Sequence, residues 1–173
     1  MTTIYFIRHG QASFGAESYD KLSPNGERQA QLLGRYFDEI LKEAPYVVSG
    51  SMQRHQQTAK LSLDECFPES EISIHPAWNE FNHQQVFAQY EPRFNQPELL
   101  KADVAQHAHP REYLSKIFAG AIERWTGGDY HHEYEESWPD FKHRVETALQ
   151  HLCDDLAEKK PRYAVVFTSG GVI

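Results

Sequence analysis

The sequence predicts an α/β fold, a three-layer α/β/α sandwich with a mostly parallel central sheet and a helical insertion over the strand ends. Three observations predict it. Short apolar runs of strand length recur at residues 3–7, 46–49, 71–75 and 163–168. Stretches with apolar residues at helical spacing separate them. Three of the runs end at loops carrying glycine, namely Gly10, Gly50 and Gly170.

The elements follow in order. Residues 3–7 are β-branched or aromatic throughout and read as a buried strand of a parallel sheet, with Arg8, His9 and Gly10 at its C-terminal end. Ser23-Pro24-Asn25-Gly26-Glu27 supplies an N-cap, a proline in the first turn and an early acid, which starts a helix over 24–42. Its inner face carries Ala30, Leu33, Phe37, Ile40 and Leu41. Residues 46–49 form the second strand, and Gly50-Ser51-Met52 opens a helix bearing Arg54, Thr58, Ala59 and Leu61. The third strand, over 71–75, leads through Pro76 and Trp78 to Glu80.

Residues 82–137 are polar, aromatic and rich in histidine, with a helix over 111–125. They read as a cap inserted within a single domain spanning 1–173. A helix over 138–159 presents Phe141, Val145, Ala148, Leu149, Leu152 and Leu156 at helical spacing. It returns the chain to the last strand and to Ser169-Gly170-Gly171. The sequence stops at Val172-Ile173, where a parallel strand ordinarily hands over to a covering helix, so a further C-terminal helix is expected.

A net charge of -8 makes the surface repel nucleic acid and anionic lipid, so an anion site has to be a local positive pocket. The first apolar run breaks at Arg8, too early for a signal peptide, and no later run has the length of a membrane span. The expectation is a cytoplasmic protein with neither nucleic-acid nor membrane partners. Cys66 and Cys153 lack metal or redox spacing and read as reduced thiols. Whether the chain pairs as a homodimer stays open at this level.

Arg8, His9, Arg54, Glu80 and the Ser169 turn all fall at inferred strand ends, where open parallel sheets bind ligands. Arginine offers a planar fork of donors matched to phosphate oxygens. A neutral imidazole oriented through one ring nitrogen attacks phosphorus through the other, and two nearby guanidinium groups favour the neutral form. Glu80 is placed to protonate a departing alkoxide.

Arg8-His9-Gly10, with residues 22–30 (Leu-Ser-Pro-Asn-Gly-Glu-Arg-Gln-Ala) and 51–59 (Ser-Met-Gln-Arg-His-Gln-Gln-Thr-Ala), resembles the histidine phosphatase superfamily, which includes the cofactor-dependent phosphoglycerate mutases. The resemblance implies a phosphomonoesterase acting on a small phosphorylated metabolite or phosphoprotein. In that scheme His9 becomes a phosphohistidine, Glu80 serves as acid and then base, and Arg8, Arg54, Ser169 and Gly170 bind phosphate. It implies no metal and no cofactor; inorganic phosphate is the simplest ligand.

Two departures qualify the resemblance. A second histidine is usual where this chain has Ser169, which brings a hydroxyl but no charge. Losing a charged donor there costs about 2 to 4 kcal/mol of transition-state stabilisation, so a catalytically impaired phosphate-binding module is the alternative reading. Gln11-Ala12-Ser13-Phe14-Gly15 departs from the mutase pattern and ranks a mutase-like phosphotransferase below hydrolysis. Of the insertion's histidines, His83, His107, His109, His131 and His132 are candidate stand-ins for the missing one. His107-Ala108-His109 and His131-His132-Glu133 also have donors that suit zinc, a reading ranked below polar positions of the cap. Trp125, Tyr130, Tyr134 and Trp138 either line a lid or pack the insertion.

Overall fold

A computed structural model describes residues 1–13 and 20–173, leaving out the side chain of Pro97. Phe14 and Gly15 of the mutase comparison therefore lie outside the described residues. Among the described residues four strands form one sheet: β1 (Thr3–Arg8), β2 (Tyr46–Ser49), β3 (Ile72–Ile74) and β4 (Tyr163–Thr168). Their order is β1-β4-β2-β3, and every pairing among them is parallel. Among the described residues six α-helices accompany them: α1 (Pro24–Ile40), α2 (Gln53–Asp64), α3 (His83–Tyr90), α4 (Pro97–Ala105), α5 (Pro110–Thr126) and α6 (Trp138–Lys159). This is the expected α/β fold. Among the described residues, no helix is long and apolar enough to cross a membrane.

The chain divides into two compact units, one of Met1–Glu80 with Val145–Ile173 and one of Phe81–Arg144. In the first, the two faces of β4 organise the layers, because successive strand residues point to opposite sides. Tyr163, Val165 and Phe167 pack with Phe37 of α1, Leu41, and Ala59 and Leu63 of α2. Ala164 and Val166 pack with Trp78 and with Ala148, Leu152 and Leu156 of α6. All six β4 residues are buried, as a strand covered by helices on both faces requires. Helix α1 starts as expected: Gly26 N–H donates to the Ser23 hydroxyl, and Pro24 occupies the first turn. It ends at Ile40 rather than 42, because Leu41 turns extended and drops into the core.

The inner face of α6 differs from expectation at one position. Leu149 is 39% exposed, whereas neighbouring Ala148 is buried. The buried stripe steps through 141, 148, 152 and 156, and a residue next to 148 is turned about 100° away from it.

The second unit has an aromatic interior. Phe81 lies 4.6 Å from Trp125 between ring centroids, and Trp138 meets both Trp125 and Phe141. Trp125 and Tyr134 are buried, so these rings, with Trp138, pack the unit itself. Tyr130 remains 42% exposed under the Arg124 guanidinium.

The two faces of α6 should differ sharply in stability measurements. Leu152→Ala empties a core position and is expected to cost about 2 to 5 kcal/mol in denaturant titrations. Leu149→Ala should stay within about 0.5 kcal/mol of the parent.

Candidate functional site

Parallel pairing of β1 with β4 aligns Arg8 with Thr168, and the His9 N–H donates to the Thr168 carbonyl at 2.9 Å. His9 and Ser169 therefore leave the sheet side by side. Arg54, in the first turn of α2, comes from the neighbouring end of β2 and is only 5% exposed. Its Nε donates to His9 Nε2 at 3.2 Å.

That bond assigns the protons on His9. A guanidinium offers only donors, so Nε2 must be the unprotonated, accepting nitrogen of the ring. Nδ1 then carries the hydrogen and donates it to the Gly10 carbonyl at 2.6 Å. Burial holds the His9 pKa below its ordinary value. The Gly10 bond works against this, while the charges of Arg54 and then Arg8 add to the lowering. The expected two-arginine effect is present, but desolvation is the larger cause. A neutral imidazole results, with its lone pair on the outer nitrogen.

The motif residues around His9 are its supports. The Gly10 N–H donates to the Thr58 hydroxyl, which in turn donates to the Arg54 carbonyl. Gln11 is held on three sides: its N–H donates to Gln29, its carbonyl accepts from the Ser23 N–H, and its side-chain oxygen accepts from the Ser23 hydroxyl. At Gly26 a Cβ would lie 2.1 Å from the Gln11 carbonyl oxygen, so the start of α1 and the loop after β1 approach too closely for any side chain.

Arg8 is exposed at the end of β1. A Cβ on Gly170 would lie 3.5 Å from Arg8 Nε, which sets the guanidinium beside the Ser169-Gly170 turn. Glu80 does not sit at a strand end as expected. It follows a 3-10 turn over Pro76–Trp78, six residues beyond the end of β3. It reaches the turn after β4 all the same, where its carboxylate accepts from the Gly171 N–H at 3.0 Å. That amide is therefore engaged by Glu80 rather than open as part of an anion nest. Ser169 is fully buried.

Two residues that sequence reasoning passed over join the site. Asp20 accepts from Arg54 Nη1 at 2.7 Å and from the Gln53 N–H at 2.8 Å. His55, fully buried, lies with its Nε2 2.6 Å from Ser169 Oγ and its ring centroid 5.6 Å from that of His9. The signal for His55 was helical spacing: with Thr58, Ala59 and Ser62 it forms the inward stripe of α2. Among the described residues, no group of three or more histidine, cysteine or acidic side chains is placed to hold a metal ion. His107, one of the proposed donors, stacks on Tyr113 instead.

The sequence matches the histidine phosphatase superfamily (branch 1) over residues 4–173. Among curated proteins, no significant match is found. Solved structures with this fold include a phosphoglycerate mutase from Bacillus anthracis str. Sterne, 17% identical, with a TM-score of 0.64 over 99% of this chain and 76% of that one. A mycobacterial glucosyl-3-phosphoglycerate phosphatase is 17% identical, with a TM-score of 0.60 over 96% of this chain and 73% of that one. The α-ribazole phosphatase from Shigella flexneri is 20% identical, with a TM-score of 0.57 over 98% and 74%. The match runs through all four strands and both supporting motifs around the neutral His9, and the chain belongs to the histidine phosphatase superfamily, branch 1.

Proposed function

We propose that the protein is a phosphomonoesterase that hydrolyses a small phosphorylated metabolite or phosphoprotein through a phosphohistidine at His9. The observation that carries this reading is the tautomer of His9: Nδ1 is committed to the Gly10 carbonyl, and Nε2 presents its lone pair beside the Arg54 guanidinium. Membership of a superfamily that contains phosphatases supports it.

In the first step a phosphoryl group takes the place of His9 as acceptor from Arg54. The Nε2 lone pair attacks phosphorus, the P–O ester bond breaks, and the leaving oxygen receives a proton from the Glu80 carboxyl. In the second, Glu80 takes a proton from water, the resulting oxygen attacks phosphorus, and the P–N bond breaks to release inorganic phosphate. Arg8 and Arg54 neutralise the phosphoryl oxygens, and the chain requires no metal or cofactor for either step. The position of Ser169 in the turn after β4 supports the second reading, phosphate binding without turnover, and the same assays separate the two.

Hydrolysis of p-nitrophenyl phosphate and a panel of phosphorylated metabolites is expected for the parent, with a loss of more than about 1000-fold in His9→Ala. A parent that binds phosphate without turnover would establish the binding reading instead. Arg54→Ala should lower kcat/KM by about 100- to 1000-fold, because a donor to the transferring group is lost. For pH dependence the sign follows from His9. Attack needs the neutral ring, so kcat/KM falls on the acid side as His9 gains a proton. Because burial lowers that pKa, the acid limb is expected below the ordinary imidazole value of about 6.5.

A further inference from the structure

His55 and Ser169 form a buried pair that the steps above do not use. Ser169 Oγ lies 2.6 Å from His55 Nε2, and both residues have no exposed surface. Among the described residues, His55 Nδ1 has no hydrogen-bond partner, and a Cβ on Gly50 would stand 2.1 Å from it, so this ring edge is packed against backbone. The pair shares two polar hydrogens, one on the imidazole and one on the hydroxyl, and only one of them lies between Oγ and Nε2. If the hydroxyl donates, the imidazole hydrogen sits on Nδ1 with no acceptor. If Nε2–H donates, Nδ1 is a bare lone pair and the Ser169 hydrogen is left over. Among the described residues, neither arrangement gives the second hydrogen an acceptor, and buried donors are rarely left so.

A phosphoryl group bound at His9 would bring such an acceptor to this end of the sheet. Ser169 directly follows Thr168, whose carbonyl receives the His9 N–H, and the His55 ring is 5.6 Å from the His9 ring. We propose that His55 is a positioning residue for phosphoryl transfer: its Nε2–H donates to Ser169 Oγ and thereby turns the Ser169 hydrogen toward a phosphoryl oxygen at His9. The two side chains act as one donor, in which the serine supplies the hydrogen bond and the histidine its direction. Burial lowers the His55 pKa to about 3, with the charge of Arg54 and the proximity of His9 adding to it, so the ring is neutral and the unit supplies direction without charge. The inference rests on the phosphatase reading for its ligand.

The test is a double-mutant cycle on the whole chain. The parent, Ser169→Ala, His55→Asn, His55→Gln and the double variant Ser169→Ala/His55→Asn are compared, with thermal unfolding confirming that each is folded. The Gln amide places an N–H where Nε2 stood, whereas the Asn amide falls at the Nδ1 position. Ser169→Ala and His55→Asn should each lower kcat for p-nitrophenyl phosphate by about 10- to 100-fold with KM changed less than about threefold, and the double variant should fall no lower than the worse single. His55→Gln should stay within about fivefold of the parent. Losses that multiply in the double variant, or a His55→Asn enzyme with parental kcat, would overturn the pairing. The dissociation constant for inorganic phosphate is read on the same five proteins. If the parent shows no turnover, the phosphatase reading falls, and the phosphate cycle decides the pairing alone: equal, non-additive weakening supports it, and additive or absent weakening refutes it.

Discussion

The parallel pairing of β1 with β4 is the constraint on which the site depends. β4 is wholly buried and has β1 on one side and β2 on the other. Because all three run the same way, their C-terminal ends release their loops at one edge of the sheet. Register then does the placing: Arg8 stands opposite Thr168, and Ser49 opposite Phe167. His9, Ser169 and the start of α2 with Arg54 follow within a few residues of those pairs. A one-residue slip of β1 would carry its side chains to the opposite face and separate His9 from Arg54.

The chemistry at that edge is decided by which groups can only donate. Arg54 has no acceptor to offer, so it fixes the tautomer of His9, and the Gly10 carbonyl completes the assignment. Around this neutral ring the charges are local and mixed. Arg8 and Arg54 supply positive charge in a chain whose net charge is -8, and Asp20 offsets part of it by holding Arg54. The Arg54–Asp20 contact also fixes the guanidinium in place before any anion arrives, which removes part of the ordering cost of binding.

The strands and helices were readable because each carried its own signal: β-branched runs for the sheet, and Ser23-Pro24 for the start of α1. Arg8, His9 and Arg54 were readable because motif and strand-end position agreed. Contacts that close through space carried no such signal. Asp20 meets Arg54 across 34 positions and His55 meets Ser169 across 114, and neither pair has a spacing rule. Glu80 was expected at a strand end because the 3-10 turn at Pro76–Trp78 is too short to show periodicity. Leu149 illustrates the opposite error, since an apolar residue beside a buried stripe satisfies the pattern without lying on it.

Ser169 and the buried His55 then belong together. The turn after β4 presents an uncharged hydroxyl at Ser169, and a neutral imidazole stands behind it. His9 Nε2 is the proposed phosphoryl acceptor, because Nδ1 is committed to the Gly10 carbonyl. The most direct test is to quench the parent in alkali during turnover of p-nitrophenyl phosphate and to assign the trapped phosphoryl group by phosphorus NMR and peptide mapping. A phosphoryl group on Nε2 of His9, absent from His9→Ala, is the predicted result. A phosphoryl group on Nδ1, on Ser169, or on no residue while turnover proceeds would contradict it.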